Sequence, residues 1–139
     1  MKNRYRVNDA EIIHETIDGE VILLNLTNGN YFSLDNIGVL IWDMITHSCP
    51  VEILSKALLE FDPNIKTVIA PSLKKVLSQM LEEELIVPSE DHTPLNRKEI
   101  ISSLISRLMD GTIRFVPPVL HMYKDIQEKY AHPAGVKAV

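Results

Sequence analysis

The sequence predicts a small α+β protein: a winged-helix-like, three-stranded antiparallel meander followed by three helices, then a C-terminal helix and an extended tail. Three observations carry this. Asp18-Gly19 and Asn28-Gly29 are turn pairs that separate short apolar runs, and glycine accepts the positive φ such turns need. After Asp35 and Asn36, either of which can cap a helix, a longer and mostly apolar stretch to about Thr46 reads as a helix. Past Pro88 a polar stretch leads into one more amphipathic segment and a proline-containing end. Strands first and helices afterwards is the order of an α+β domain.

The first strand is "EIIHETI" (11–17), with mixed faces, and the Asp18-Gly19 turn follows it. "EVILLNL" (20–26) is apolar on both faces, as a central strand is. The turn "TNGN" then leads to a short third strand, Tyr31-Phe32-Ser33-Leu34. Asp35 or Asn36 can cap a helix running to about Thr46, a side-chain oxygen receiving free N–H groups. Ile37, Val39, Leu40, Ile41, Trp42, Met44 and Ile45 make that helix apolar nearly all round, which places it at the centre of the core.

Pro50 suits the first turn of a second helix, which carries Ile53, Leu54, Ala57 and Leu58 on one face. A third helix extends to about Glu84, and Pro71 either kinks it or marks its first turn. "LIVP" (85–88) reads as a short closing strand. The expected domain spans residues 1–88, with 89–97 as a linker and 98–139 as the C-terminal helix and tail. In that last part Ile100, Ile101, Leu104, Ile105 and Leu108 form an apolar stripe that Asp110-Gly111 ends. An extended segment around 113–120 and a helical turn at 122–130 are expected beyond it.

Composition narrows the function classes. The chain has 139 residues, a mean hydropathy near zero and a single cysteine, Cys49, so one chain cannot build a disulfide framework. No apolar run approaches a membrane span, and the N-terminus has no apolar core of a signal peptide, so a cytoplasmic protein is expected. Residues 1–90 carry seven Lys/Arg and fourteen Asp/Glu, a balance of −7, and residues 91–139 carry seven and five. An acidic body is a poor match for nucleic acid. A winged-helix nucleic-acid-binding or regulatory domain is the alternative class that the element order allows, but its third helix would set Lys74 and Lys75 against Glu82, Glu83 and Glu84.

Chemistry is hard to find. His14, His47, His92, His121 and His132 are scattered, without a pair at metal-binding helical spacing. His47 and Cys49 lie close together, but no acidic orienting residue or oxyanion feature accompanies them. There is no Gly-rich phosphate loop. The expectation is therefore a non-enzyme with no cofactor and no metal. Its short third strand, if it lies at the sheet edge, exposes a row of backbone groups to which a linear peptide can add as a further strand.

The run "ETIDGEVILLNLTNGNYFSLDNIGVLIWDMI" resembles the PqqD-like family, the recognition elements for ribosomally synthesised and post-translationally modified peptides. The shared features are a strand ending in "LLNL", the following "TNGNYFSL", Gly38, and the pair Ile41-Trp42. The resemblance covers roughly residues 5–88 and is loose in the second and third helices. Asp35 departs from it, standing where family members commonly have asparagine.

The resemblance implies a non-catalytic peptide chaperone of natural-product biosynthesis. It would bind a precursor's leader as an added strand and deliver it to a modifying enzyme, such as a radical S-adenosylmethionine (radical SAM) protein. Carried over, the strand edge is Tyr31, Phe32, Ser33 and Leu34, and the helix wall is Leu73, Lys74, Val76, Leu77 and Met80. "FVPPVL" (115–120) is similar to the leader motif of lasso-type precursors at Phe115, Pro118 and Leu120, although Lys124 stands where a glycine is expected. A tail of this kind can fill the groove in cis, or reach a neighbouring subunit's groove and make a homodimer by tail exchange.

Overall fold

The computed structural model describes residues 4–124. It is a mixed α+β fold with antiparallel strands and four helices. A four-stranded antiparallel sheet contains β2 (Ile12–Ile17), β3 (Glu20–Asn25), β4 (Tyr31–Asp35) and β6 (His121–Tyr123), in that order across the sheet. A two-stranded sheet pairs β1 (Tyr5–Val7) with β5 (Ile86–Pro88). The helices are α1 (Ile37–Thr46), α2 (Glu52–Phe61), α3 (Lys66–Glu82) and α4 (Arg97–Met109).

The meander forms where the turn residues place it. Asp18 and Gly19 both take positive φ, 51° and 76°, as a tight two-residue hairpin requires. In the second turn the Asn25 side chain accepts hydrogen bonds from the backbone N–H groups of Thr27 and Asn28. That local bonding also explains a buried asparagine at a strand end. Val21 and Leu23 of β3 point into the core with Phe32 and Leu34 of β4, while Ile22 and Leu24 face outward.

Helix α1 is buried on nearly every side, as its composition demands, and Trp42 is 2% exposed. Gly38 lies against β4: a Cβ there would come within 3.1 Å of Leu34 Cβ and Cδ2. The missing side chain is what lets the helix sit directly on the strand.

Several expectations need correction. Neither Asp35 nor Asn36 caps α1 with its side chain. Asn36 occupies the N-cap position at φ 48°, and its Oδ1 instead accepts a hydrogen bond from the backbone N–H of Arg114, at 3.0 Å. Helix α2 begins at Glu52, so Pro50 precedes it instead of forming its first turn. Pro71 lies inside α3, which starts at Lys66 after a 3₁₀ turn over Pro63–Ile65; it removes a backbone donor without ending the helix. The helical turn expected at 122–130 begins instead as strand β6, and residues 125–139 lie outside the described part.

Strand β1 was not anticipated. Its three residues pair Tyr5 with Pro88, Arg6 with Val87 and Val7 with Ile86. The stretch between β5 and α4 is tied to the same end of the chain: Arg4 donates to the Thr93 carbonyl and forms an ion pair with Asp91 at 3.5 Å. Asn96 caps α4, its Oδ1 accepting from the Glu99 N–H. This helix packs on α2, and its Leu104 and Leu108 join the common core.

Candidate functional site

The third meander strand, β4, lies between β3 and a strand from far along the chain. It pairs with β3 through Leu24↔Tyr31, Leu23↔Phe32, Ile22↔Ser33 and Val21↔Leu34. Its other side is taken by β6, antiparallel, with Tyr31↔Tyr123, Phe32↔Met122 and Ser33↔His121 in register. The edge is therefore filled by the chain's own tail.

Tyr31, Phe32, Ser33 and Leu34 are all buried with that strand in place. Phe32 and Leu34 anchor β4 in the core, whereas Tyr31 and Ser33 lie on the opposite face. The rings of Tyr31 and Tyr123 meet at 5.8 Å between centroids. Ser33 Oγ is buried without a hydrogen-bond partner among the described residues. What holds a strand here is thus main-chain pairing, with apolar contacts at its flanks.

The approach to the edge is built from the residues before β6. Arg114 is held through its backbone by Asn36, at the junction of β4 and α1. Phe115 then packs on Phe61 at the end of α2, with ring centroids 4.9 Å apart. Pro118 and Leu120 are buried, and Val116, Pro117 and Val119 point to solvent. The three positions of the leader-like motif, Phe115, Pro118 and Leu120, are the inward-facing ones of residues 115–120.

The helix residues are distributed differently from the strand residues. Leu73, Val76, Leu77 and Met80 form the buried stripe of α3 and belong to the common core. Lys74 is exposed beside Lys75 on the opposite side of that helix, which packs chiefly on α2 and β5. Residues that sequence reasoning missed are Asn36, Phe61 and Tyr123. Phe61, an aromatic closing an amphipathic helix, was the one visible signal; the others depend on contacts about 80 residues apart.

Polar groups elsewhere are largely occupied with one another. A hollow of about 490 Å³ between the end of α1 and α4 is lined by Asp43, His47, Cys49, Asn96 and Arg107. There Arg107 pairs with Asp43, and His47 Nδ1 donates to the Asp43 carbonyl at 2.8 Å. Burial pushes the Cys49 thiol above its ordinary pKa, outweighing the opposite influence of Arg4, so it is held in the poorly nucleophilic protonated form. No three His, Cys, Asp or Glu side chains among the described residues gather as a metal set, and no described helix is long and apolar enough to cross a membrane.

The fold and this edge define an α+β domain whose sheet accepts an additional strand from elsewhere in the chain. Residues 20–86, which span β3 through α3 to the start of β5, match the family described as coenzyme PQQ synthesis protein D (PqqD), consistent with a PqqD-like recognition element. The family is one of non-catalytic accessory proteins with a peptide-binding role in the biosynthesis of coenzyme PQQ and related peptide-derived products. No curated protein and no solved structure matches the chain.

Proposed function

We propose that this protein binds the leader of a ribosomally made precursor peptide as an added strand along β4 and presents it to a modifying enzyme, of the radical S-adenosylmethionine class or another. Residues 121–123 hold the same edge at rest and, with the leader-like stretch 115–120 that leads into them, act as a leader mimic, in cis or by exchange with a neighbouring subunit. In this reading the body is a winged-helix-like recognition element and the tail its built-in competitor.

The observation that carries the reading is the register of β6 on β4. An edge that accepts one antiparallel strand through backbone pairing accepts another of similar pattern, because most of the hydrogen bonds are independent of side-chain identity. Tyr31, Phe32, Ser33 and Leu34 supply the pairing strand. Leu73, Val76, Leu77 and Met80 stiffen it through the shared core, and Lys74 offers a charge for leader carboxylates. The match of residues 20–86 to the PqqD family supports the same role.

The test uses the full chain, labelled with ¹⁵N, and a synthetic peptide of residues 112–124. The Leu120→Asp variant, whose tail no longer buries an apolar side chain, should bind the peptide more tightly than the parent chain does. Shifts should concentrate on Tyr31–Leu34. An unchanged affinity in the variant, or shifts that avoid β4, would reject the proposal. Sedimentation at rising concentration separates cis filling from exchange between subunits.

A further inference from the structure

Strand β2 carries two of its three isoleucines, Ile13 and Ile17, on the side away from the core. Pairing with β3 sets Ile13 opposite Leu24, Glu15 opposite Ile22 and Ile17 opposite Glu20, all on the outward face, while polar His14 and Thr16 point to the core side. Ile13 and Ile17 are 52% and 51% exposed. Together with Ile22, Leu24 and Tyr31 they line a shallow hollow of about 430 Å³ on the outside of the sheet. Edge strands ordinarily protect themselves with polar outward residues, and a contiguous exposed apolar patch marks an interaction surface.

On β2, β3, β4 and the turn between β2 and β3 the charges around the patch are acidic, while Lys124 follows Tyr123 at the far edge of the sheet. No lysine or arginine occurs between Arg6 and Lys56. Glu15, Glu20 and Asp35 stand on the outward face itself, Glu20 directly opposite Asp35, and Asp18 lies in the adjoining turn. Two copies stacked by this face would bring these acids together, which disfavours self-association. An apolar ridge flanked by lysines or arginines meets both the hollow and its rim.

The position of the patch adds a reason for it. Ile13, Leu24, Tyr31 and Tyr123 form one cross-sheet row, so the strand lodged on β4 contributes its outward residue to the same surface. We propose that the outward face of β2–β3–β4, completed by whichever strand occupies the β4 edge, is the docking surface for an apolar, basic-rimmed surface of the modifying enzyme. It rests on the proposed function only for the nature of that partner. The docking face and the peptide edge are separate, so the partner can contact the sheet while the strand stays bound.

The full chain labelled with ¹⁵N is titrated with an amphipathic helical peptide of leucine and lysine, and in parallel with its leucine and glutamate counterpart. The lysine peptide should shift the amides of Ile13, Ile17, Ile22 and Leu24, and the glutamate peptide should not. Ile13→Ser with Ile17→Ser, which removes apolar area and keeps the charges, should weaken binding about tenfold. Glu15→Lys with Glu20→Lys should do the same through the rim. Unchanged protection of the β4 and β6 amides shows that each variant is folded.

Equal response to both peptides, shifts away from the face, or a dimer of the parent chain that Ile17→Ser disperses would overturn the proposal. The last outcome assigns the face to a second copy. Leader binding is read separately at Phe32 and Leu34, whose side chains face the core, so failure there leaves the result at Ile13–Leu24 interpretable.

Discussion

The two sides of the meander behave differently although they belong to one sheet. The β4 side has four consecutive buried residues and is closed by a strand from the far end of the chain. The β2 side has only Ile12 buried and, among the described residues, pairs with β3 alone. The difference follows from anchoring. Phe32 and Leu34 hold β4 flat against α1, whereas β2 projects past the core with its charged and apolar residues in water. A strand added to β4 lands on a fixed template, and one added to β2 would have to order its template first, at an entropic cost per residue.

The largest test of that contrast compares two truncations. Phe32→Ala removes a fully buried ring and should cost about 3–5 kcal/mol, while Ile13→Ala on the exposed strand should cost less than about 1 kcal/mol. Urea unfolding midpoints measure both; similar losses would mean that β2 is anchored as firmly as β4.

Next is the tail. Leu120→Ala should weaken the seating of β6 by about 2 kcal/mol, which speeds hydrogen exchange of the His121–Tyr123 amides roughly thirtyfold. The amides linking β2 to β3 should be unaffected.

Asn36→Gly sharpens the comparison further. It keeps the positive φ permitted and deletes the bond to Arg114, so exchange in residues 113–123 should rise by about fivefold, a loss near 1 kcal/mol. The global midpoint should scarcely move. A large global loss would show that the junction of β4 and α1 depends on the tail.

The smallest effect is one of pH at the strap before α4. The Thr93 hydroxyl and backbone N–H both donate to Asp91, holding its carboxyl below the ordinary value of 3.8, with Arg4 assisting. A depressed folded pKa means that this contribution is fully present above pH 3.8 and is lost as the pH falls through the lower folded value. Acid unfolding of Asp91→Asn should show a shallower dependence than the parent below that pH. An identical profile would remove Asp91 from the acid response.

Much of this architecture could be read from local pattern. Asp18-Gly19 and Asn28-Gly29 located both turns, and the mostly apolar run from Ile37 to Ile45, with Asp43 its one charged residue, located a central helix. Strand β1 could not be read, because three residues with no period of their own become a strand only against Ile86–Pro88. The cap of α1 was misread for a related reason. Asn36 has the right side chain for its own helix, and Arg114, distant in sequence, takes its oxygen. Gly38 was noticed as part of a resemblance, but its purpose appears only with Leu34 lying 3.1 Å from where a Cβ would be.

By itself the sequence determined the order of the three meander strands and the four helices, the absence of the familiar catalytic patterns, and the uncharged strand Tyr31–Leu34 that a peptide could extend. Turns and periodicity are short-range properties, fixed by φ preferences and by which side chains leave water. The tertiary structure alone decided that His121–Tyr123 pairs with that strand, that four of the five chosen α3 residues lie in the core with Lys74 facing away, and that the outer sheet face stays apolar and open. The first is a matter of which surfaces meet across about 90 residues, and the other two of which faces the neighbouring elements cover. Backbone pairing leaves little mark in side-chain identity, so a strand's partner is settled only when the whole chain has folded.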